Sequence, residues 1–122
     1  MVDEIKTIGT AGRVHSRIDT TTVTVSDTGS TTLVTAFEAN GLSGAFVVDN
    51  TNGAATDIVV FPEHSPDGTN WFQIDNESAG TTISAAAIKS IPWLGKYKNV
   101  RLRATAAADS IGVKAGVYVS SQ

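Results

Sequence analysis

Hydrophobic positions along this chain alternate rather than recur at helical intervals. Val23 and Val25 fall on one side of an extended segment and Thr22 and Thr24 on the other. Val100, Leu102 and Ala104 alternate in the same way with Asn99, Arg101 and Arg103. Successive side chains of a strand point to opposite faces, so each pattern marks one buried face and one wet face. No segment of ten or more residues keeps apolar positions at i, i+3, i+4 and i+7 between helix caps. Short β-branched and aromatic runs recur instead about every 8–12 residues between clusters of Gly, Asn, Asp and Pro, the rhythm of a sandwich or barrel.

The pattern predicts eight strands, at Thr21–Ser26, Thr31–Glu38, Gly44–Asn50, Asp57–Glu63, Trp71–Asp75, Thr81–Ser90, Tyr97–Thr105 and Ile111–Val119. The expected fold is all-β, an eight-stranded antiparallel β-sandwich, with jelly-roll and immunoglobulin-like strand orders both open. Asp27-Thr28-Gly29, Asn50-Thr51-Asn52-Gly53 and Pro66-Asp67-Gly68 supply the turn residues between strands. Phe46-Val47-Val48 and Ile58-Val59-Val60-Phe61 are apolar on both faces, as expected of strands central in a sheet or covered by another subunit. Each large apolar side chain left in water forgoes roughly 1.5–3 kcal/mol, so Phe46, Val48, Val59 and Phe61 are candidates for an oligomer interface. Ala85-Ala86-Ala87-Ile88 is too short to hold a helix by itself and is read as strand, or one turn at most.

A length of 122 residues suits one domain. Residues 19–122 are read as a single sandwich. Residues 1–18 differ, because Gly9 and Gly12 interrupt them while Ile5, Ile8, Val14 and Ile18 make them too apolar for a simple tail. An arm that orders on a neighbour and an edge strand of the same sheet both fit. The absence of cysteine excludes thiol catalysis, disulfide scaffolding and zinc–thiolate sites. The acidic start MVDEIKTIGT, and the lack of any run near the roughly 20 apolar residues that span a bilayer, lead us to expect a soluble protein with no membrane partner that does not use the Sec route.

Charge is unevenly spread beneath a net of −3. Residues 1–90 carry four Lys/Arg against eleven Asp/Glu, whereas residues 91–122 carry five against one. That distribution is not that of a uniformly basic nucleic-acid binder, and no specific nucleic-acid partner is expected. Strands of opposite charge lying side by side, or across a subunit contact, account for it.

Catalytic chemistry finds no constellation. His15 and His64 sit in no metal-ligand spacing, so no metal site is predicted. Glu63-His64-Ser65-Pro66-Asp67 puts triad residue types side by side, but triads converge from separate parts of a chain, and no G-x-S-x-G is present. Neither glycine-rich nucleotide loop occurs, so no cofactor and no enzymatic activity are expected. Asp67, Asn70 and Asp75, like Asp49, Asn50 and Asn52, have oxygens suited to calcium, but turns favour these residues for backbone reasons. Trp71, Trp93 and Tyr97 are the candidate stacking surfaces for a glycan. Of the neighbours Trp71 and Phe72, one is expected to fill the core.

The segment Phe61-Pro62-Glu63-His64-Ser65-Pro66-Asp67-Gly68-Thr69-Asn70-Trp71-Phe72-Gln73-Ile74 resembles a pattern of small β-sandwich virion proteins of tailed bacteriophages, in which S-x-D-G-x-x-W leads into a strand. Lys96-Tyr97-Lys98-Asn99-Val100-Arg101-Leu102-Arg103-Ala104 resembles the aromatic-x-x-V-R-L-R strand that follows there, before a last strand like Gly112–Val119. The resemblance covers residues 57–119 and implies a virion structural protein assembled in the host cytoplasm, a capsid decoration (cement) protein or a small head or tail component. Its implied partners are the major capsid protein or other virion proteins, together with further copies of itself as a dimer or trimer. On that reading Ile5, Ile8, Arg13, His15, Arg17, Arg101 and Arg103 are the capsid- or partner-binding candidates. The alternative is a carbohydrate- or receptor-binding module of a phage tail or bacterial surface protein, using Trp71, Trp93 and Tyr97.

Overall fold

The computed structural model describes residues 8–10, 13–19, 22–74 and 80–120. Ile5 and Asp75 lie outside the described residues. The strands are β1 (Ile8–Thr10), β2 (Arg13–Asp19), β3 (Val23–Val25), β4 (Thr31–Glu38), β5 (Ser43–Asn50) and β6 (Ile58–Ser65). They continue with β7 (Phe72–Gln73), β8 (Thr81–Ile83), β9 (Ala87–Trp93), β10 (Asn99–Ala106) and β11 (Ser110–Ser120). One sheet has six strands in the order β1-β2-β11-β5-β9, with β3 also on β11; the other has five in the order β4-β10-β6-β7, with β8 also on β6. Every pairing is antiparallel.

The short strands reduce to a simpler plan. Asp19 pairs with Gly116, Val23 with Val113 and Val25 with Ser110, so β2 and β3 form one interrupted lane along β11. Likewise β7 and β8 both lie along β6, one at each of its ends. Leaving out β1, which lies outside β2, the described residues make eight lanes that run 1-8-3-6 in one sheet and 2-7-4-5 in the other. Each connection between successive lanes crosses from sheet to sheet except that between lanes 4 and 5. This is the jelly-roll order, and it replaces the immunoglobulin-like alternative.

The eight expected strands correspond to these lanes, with one instructive difference. The segment predicted as a single strand at Thr81–Ser90 is β8 in one sheet and β9 in the other. Between them Ala86 takes a left-handed conformation with φ of 66°. Asp57 accepts the Ala85 N–H at 2.8 Å, and the Asn50 carbonyl accepts the Ala86 N–H at 2.9 Å. The alanines that hinted at a helix are therefore a corner.

Phe46 and Val48 on β5 and Ile58 and Val60 on β6 are fully buried between the sheets. Both strands are central in their sheets, as their doubly apolar pattern predicted. Trp93 fills the other large part of the core, against Phe46 at 5.1 Å and Phe37 at 6.3 Å between ring centroids. Its indole N–H donates to the Leu42 carbonyl at 3.0 Å. Gly44 makes that packing feasible, since a Cβ there would meet the Tyr118 carbonyl and come within 2.8 Å of the Trp93 ring. At one end of the sandwich Asn50 closes the core. Its amide donates to the carbonyls of Thr56 (2.7 Å), Ile83 (3.2 Å) and Ser84 (3.2 Å), and its oxygen accepts from Ser110 Oγ at 2.9 Å.

Candidate functional site

The outer face of the five-stranded sheet carries the most organised polar cluster among the described residues. It arises from alternation: with Val100, Leu102 and Ala104 turned into the core, Arg101 and Arg103 must face outward from β10. On the neighbouring strand β6, Glu63 lies opposite Arg101 and Phe61 opposite Arg103. Glu63 is therefore directly across from one arginine and diagonal to the other, within reach of both.

Its carboxylate forks between them. Arg101 Nε donates to Oε1 and Arg103 Nε to Oε2, each at 2.8 Å. Glu63 is only 6% exposed, while the arginine side chains keep 32% and 26%. A carboxylate so enclosed requires charged partners, because its lost hydration is costly unless replaced by hydrogen bonds. Each guanidinium also lies over an aromatic ring, Arg101 over Trp71 at 4.2 Å and Arg103 over Phe61 at 4.3 Å. Ring and carboxylate together fix both guanidinium planes. Neither Nη group makes a hydrogen bond among the described residues, and two cations stand against one anion. Val59 extends the half-buried apolar ground beside them, and Gln73, opposite Glu63 on β7, has a buried side-chain oxygen with no partner among the described residues.

The turn that brings Trp71 to this face is built by Asp67. Its carboxylate accepts from the backbone N–H groups of Thr69 and Asn70 (both 2.8 Å), the Asn70 amide (2.7 Å) and Ser65 Oγ (3.0 Å). The hydrogen bonds from Asn70 and Thr69 hold it well below the usual carboxylate range. Gly68 supplies the required positive φ of 79°. Beyond the turn, His64 packs between Tyr97 (4.1 Å between centroids) and Phe72 (5.9 Å).

The predicted site residues divide. Arg101, Arg103, Trp71, Phe61 and Val59, expected to serve three separate roles, share this one face. Phe46 and Val48 are corrected: both are fully buried in the chain's own core and offer nothing to a second subunit. Trp93 is corrected too, being 1% exposed and so no surface for a sugar. Tyr97 is partly buried against the core, and Arg101 covers one face of the Trp71 ring. Neither Trp71 nor Phe72 enters the core; that position falls to Ile74, and Phe72 is 53% exposed. Ile8 lies in β1, and Arg13, His15 and Arg17 in β2, where Arg17 is in register with Tyr118 on β11. Sequence reasoning missed Glu63 as the organiser. The available signal was a lone acid inside an apolar strand together with an outward Arg-x-Arg elsewhere.

With this geometry the chain is defined as a jelly roll with a pair of arginines fixed on one outer face, and no cluster of three or more His, Asp or Glu side chains suited to a metal ion occurs among the described residues. No protein-family model and no curated protein sequence matches it. Solved structures do share the fold. It is similar to the PBSX exported protein XepA, with a TM-score of 0.65 and 12% identity over 87% of this chain and 37% of that one. It is also similar to a structure described as Bacillus endospore appendages forming disulfide-linked pili, with a TM-score of 0.59 and 11% identity over 90% and 88% of the two chains. PirA aligns with a TM-score of 0.55 and 11% identity, over 84% and 92%. The chain spans little more than a third of XepA, and at these identities the likeness is one of fold.

Proposed function

We propose that this chain is a virion structural protein, a capsid decoration (cement) protein that binds the major capsid protein or another virion protein and works as an oligomer. The observation that carries this reading is the fixed pair of guanidinium groups on the outer face of the five-stranded sheet. Arginine and aromatic side chains concentrate at the centres of protein interfaces, where oriented donors and large flat surfaces give binding energy at small ordering cost. Arg101 and Arg103 are held in place by Glu63, Trp71 and Phe61 before any partner arrives. Such an arrangement suits a repeated contact with carboxylates or carbonyls of a neighbouring protein.

Two further points support the reading. The resemblance to phage virion proteins falls on residues 57–119, which include every member of the cluster, and the jelly roll is shared with a protein that forms appendages. Many identical weak contacts on a closed shell add through multivalency, so no deep pocket is needed. The test is attachment to purified capsids lacking decoration. Arg101→Ala/Arg103→Ala combined with Glu63→Leu, so that no buried charge is left unpaired, is expected to lose attachment while circular dichroism shows the fold intact, and attachment at wild-type level by that variant would sink the assignment of this face.

A further inference from the structure

The two ends of the sandwich carry opposite surfaces. At one end, residues 26–30, 51–57, 84–86 and 107–109 join β3 to β4, β5 to β6, β8 to β9 and β10 to β11. These loops expose Asp27, Asp57 and Asp109 and contain no Lys, Arg or His. Between the acids the exposed groups are small, Ala54, Ala85 and Ala107 among them. The loops are tied to one another. Asp27 N–H donates to Asp109 Oδ1 at 2.8 Å, Thr56 N–H to Ser110 Oγ at 3.0 Å and Thr56 Oγ1 to the Ala108 carbonyl at 2.8 Å. Those bonds tie the loops into one acidic end that also exposes small side chains.

The opposite end is its complement. Leu94 is 86% exposed, the most of any large hydrophobic side chain described, and exposed Lys96 and Lys98 follow it in the loop from β9 to β10. Among the described residues two acids lie at that end, Glu38 at the close of β4 and Asp67, whose carboxylate takes four hydrogen bonds from its own turn, whereas Asp57 and Asp109 at the acidic end each accept one backbone N–H. An exposed apolar side chain with two cations beside it thus complements in sign an end that exposes three anions and small side chains.

We infer that copies of this chain meet head to tail, with Leu94, Lys96 and Lys98 of one copy seated on the Asp27–Asp57–Asp109 cap of the next. This deepens the assembly reading above and rests on it. Because the two surfaces differ, the contact is heterologous, and repetition closes it into a ring or extends it into a row. The arginine face lies on the flank of the sandwich and stays available to a shell.

Sedimentation velocity of the full chain tests this. The weight-average mass should rise above the 12.7 kDa monomer with concentration. It should do so at about 20 mM NaCl and fall back toward the monomer at about 0.5 M, where screening shortens to a few ångströms. Lys96→Glu/Lys98→Glu and Asp27→Lys/Ala107→Lys alter exposed side chains and should each be monomeric at low salt, with circular dichroism confirming the fold. Mixed in equal amounts, they should associate again. A wild type that is monomeric at every salt concentration, or association that survives either reversal alone, overturns the head-to-tail contact even where capsid attachment is intact. Failure of the Arg101/Arg103 attachment test, with the reversals behaving as described, overturns the attachment reading alone.

Discussion

Asn50 and Glu63 are both buried polar residues at the margins of one jelly roll, and their partners separate their roles. Asn50 spends its amide on three backbone carbonyls and its oxygen on Ser110, so every contact is internal to the chain. Glu63 spends both oxygens on arginine side chains that remain about a quarter to a third exposed. The first network is closed: it joins the ends of β5, β8 and β11 across the two sheets and has no capacity left for a ligand. The second is open: the carboxylate is satisfied, but the groups that satisfy it still have donors facing outward. Burial of a polar group alone therefore does not mark function; what distinguishes the second network is unspent hydrogen-bonding capacity after the internal bonds are made.

The largest expected effect comes from breaking the closed network. Asn50→Ala leaves the Ile83, Ser84 and Thr56 carbonyls and the Ser110 hydroxyl short of partners, which should cost about 2–4 kcal/mol. Urea unfolding should report it as a lower midpoint with an unchanged slope. Glu63→Ala comes next. It strands two guanidinium groups that water can still reach in part, so the loss is expected at about 1–3 kcal/mol, below that of a fully enclosed ion pair. If Glu63→Ala destabilises more than Asn50→Ala, the closed-versus-open distinction fails. Arg101→Ala should cost about 1–2 kcal/mol, because it takes one charged partner from the enclosed Glu63 carboxylate while Arg103 keeps the other oxygen bonded. Its effect on capsid attachment should be far larger than its effect on stability, and the ratio of the two effects is what sharpens the contrast.

The fold was legible wherever one face of a strand is wet. Thr22–Val25 and Asn99–Ala104 show alternation because one set of side chains meets water, and the structure buries Val25, Val100, Leu102 and Ala104 as expected. The jelly-roll order was not legible, because alternation fixes which side of a strand is inside but not which strand lies beside it. The corner at Ser84–Ala86 was hidden for another reason. A positive φ at Ala86 is unfavourable for alanine itself and is held by Asn50 and Asp57 from elsewhere in the chain. Trp93 was misread because a tryptophan after a proline looks like a turn, whereas Pro92 occupies the outward position of an edge strand and places Trp93 inward. The site was legible in its parts, Arg101, Arg103, Trp71 and Phe61, but not as a group. Register alone brings β6 beside β10, and no local pattern announces a pairing between residues about forty positions apart.

The smallest effect expected concerns a third polar group, the carboxylate of Asp67, which is bonded as fully as Asn50 yet lies in water. Four hydrogen bonds from its own turn favour its ionised form, so its folded value lies well below the usual 3.8. A carboxylate depressed on folding contributes stability that is complete above the unfolded value and is lost as pH falls through the folded one. The urea midpoint of the wild type should therefore decline as the medium is acidified below 3.8, and Asp67→Asn should show a shallower decline over the same range. Asn can still accept through one oxygen, so at neutral pH the variant should remain folded and Trp71 should stay close to Arg101. Loss of Arg101-dependent attachment in Asp67→Asn at neutral pH would show that the turn does more than deliver the chain to β7, and would move Asp67 into the open network with Glu63. Parallel acid profiles for the two proteins would show that a fully bonded carboxylate in water adds nothing that water itself does not supply.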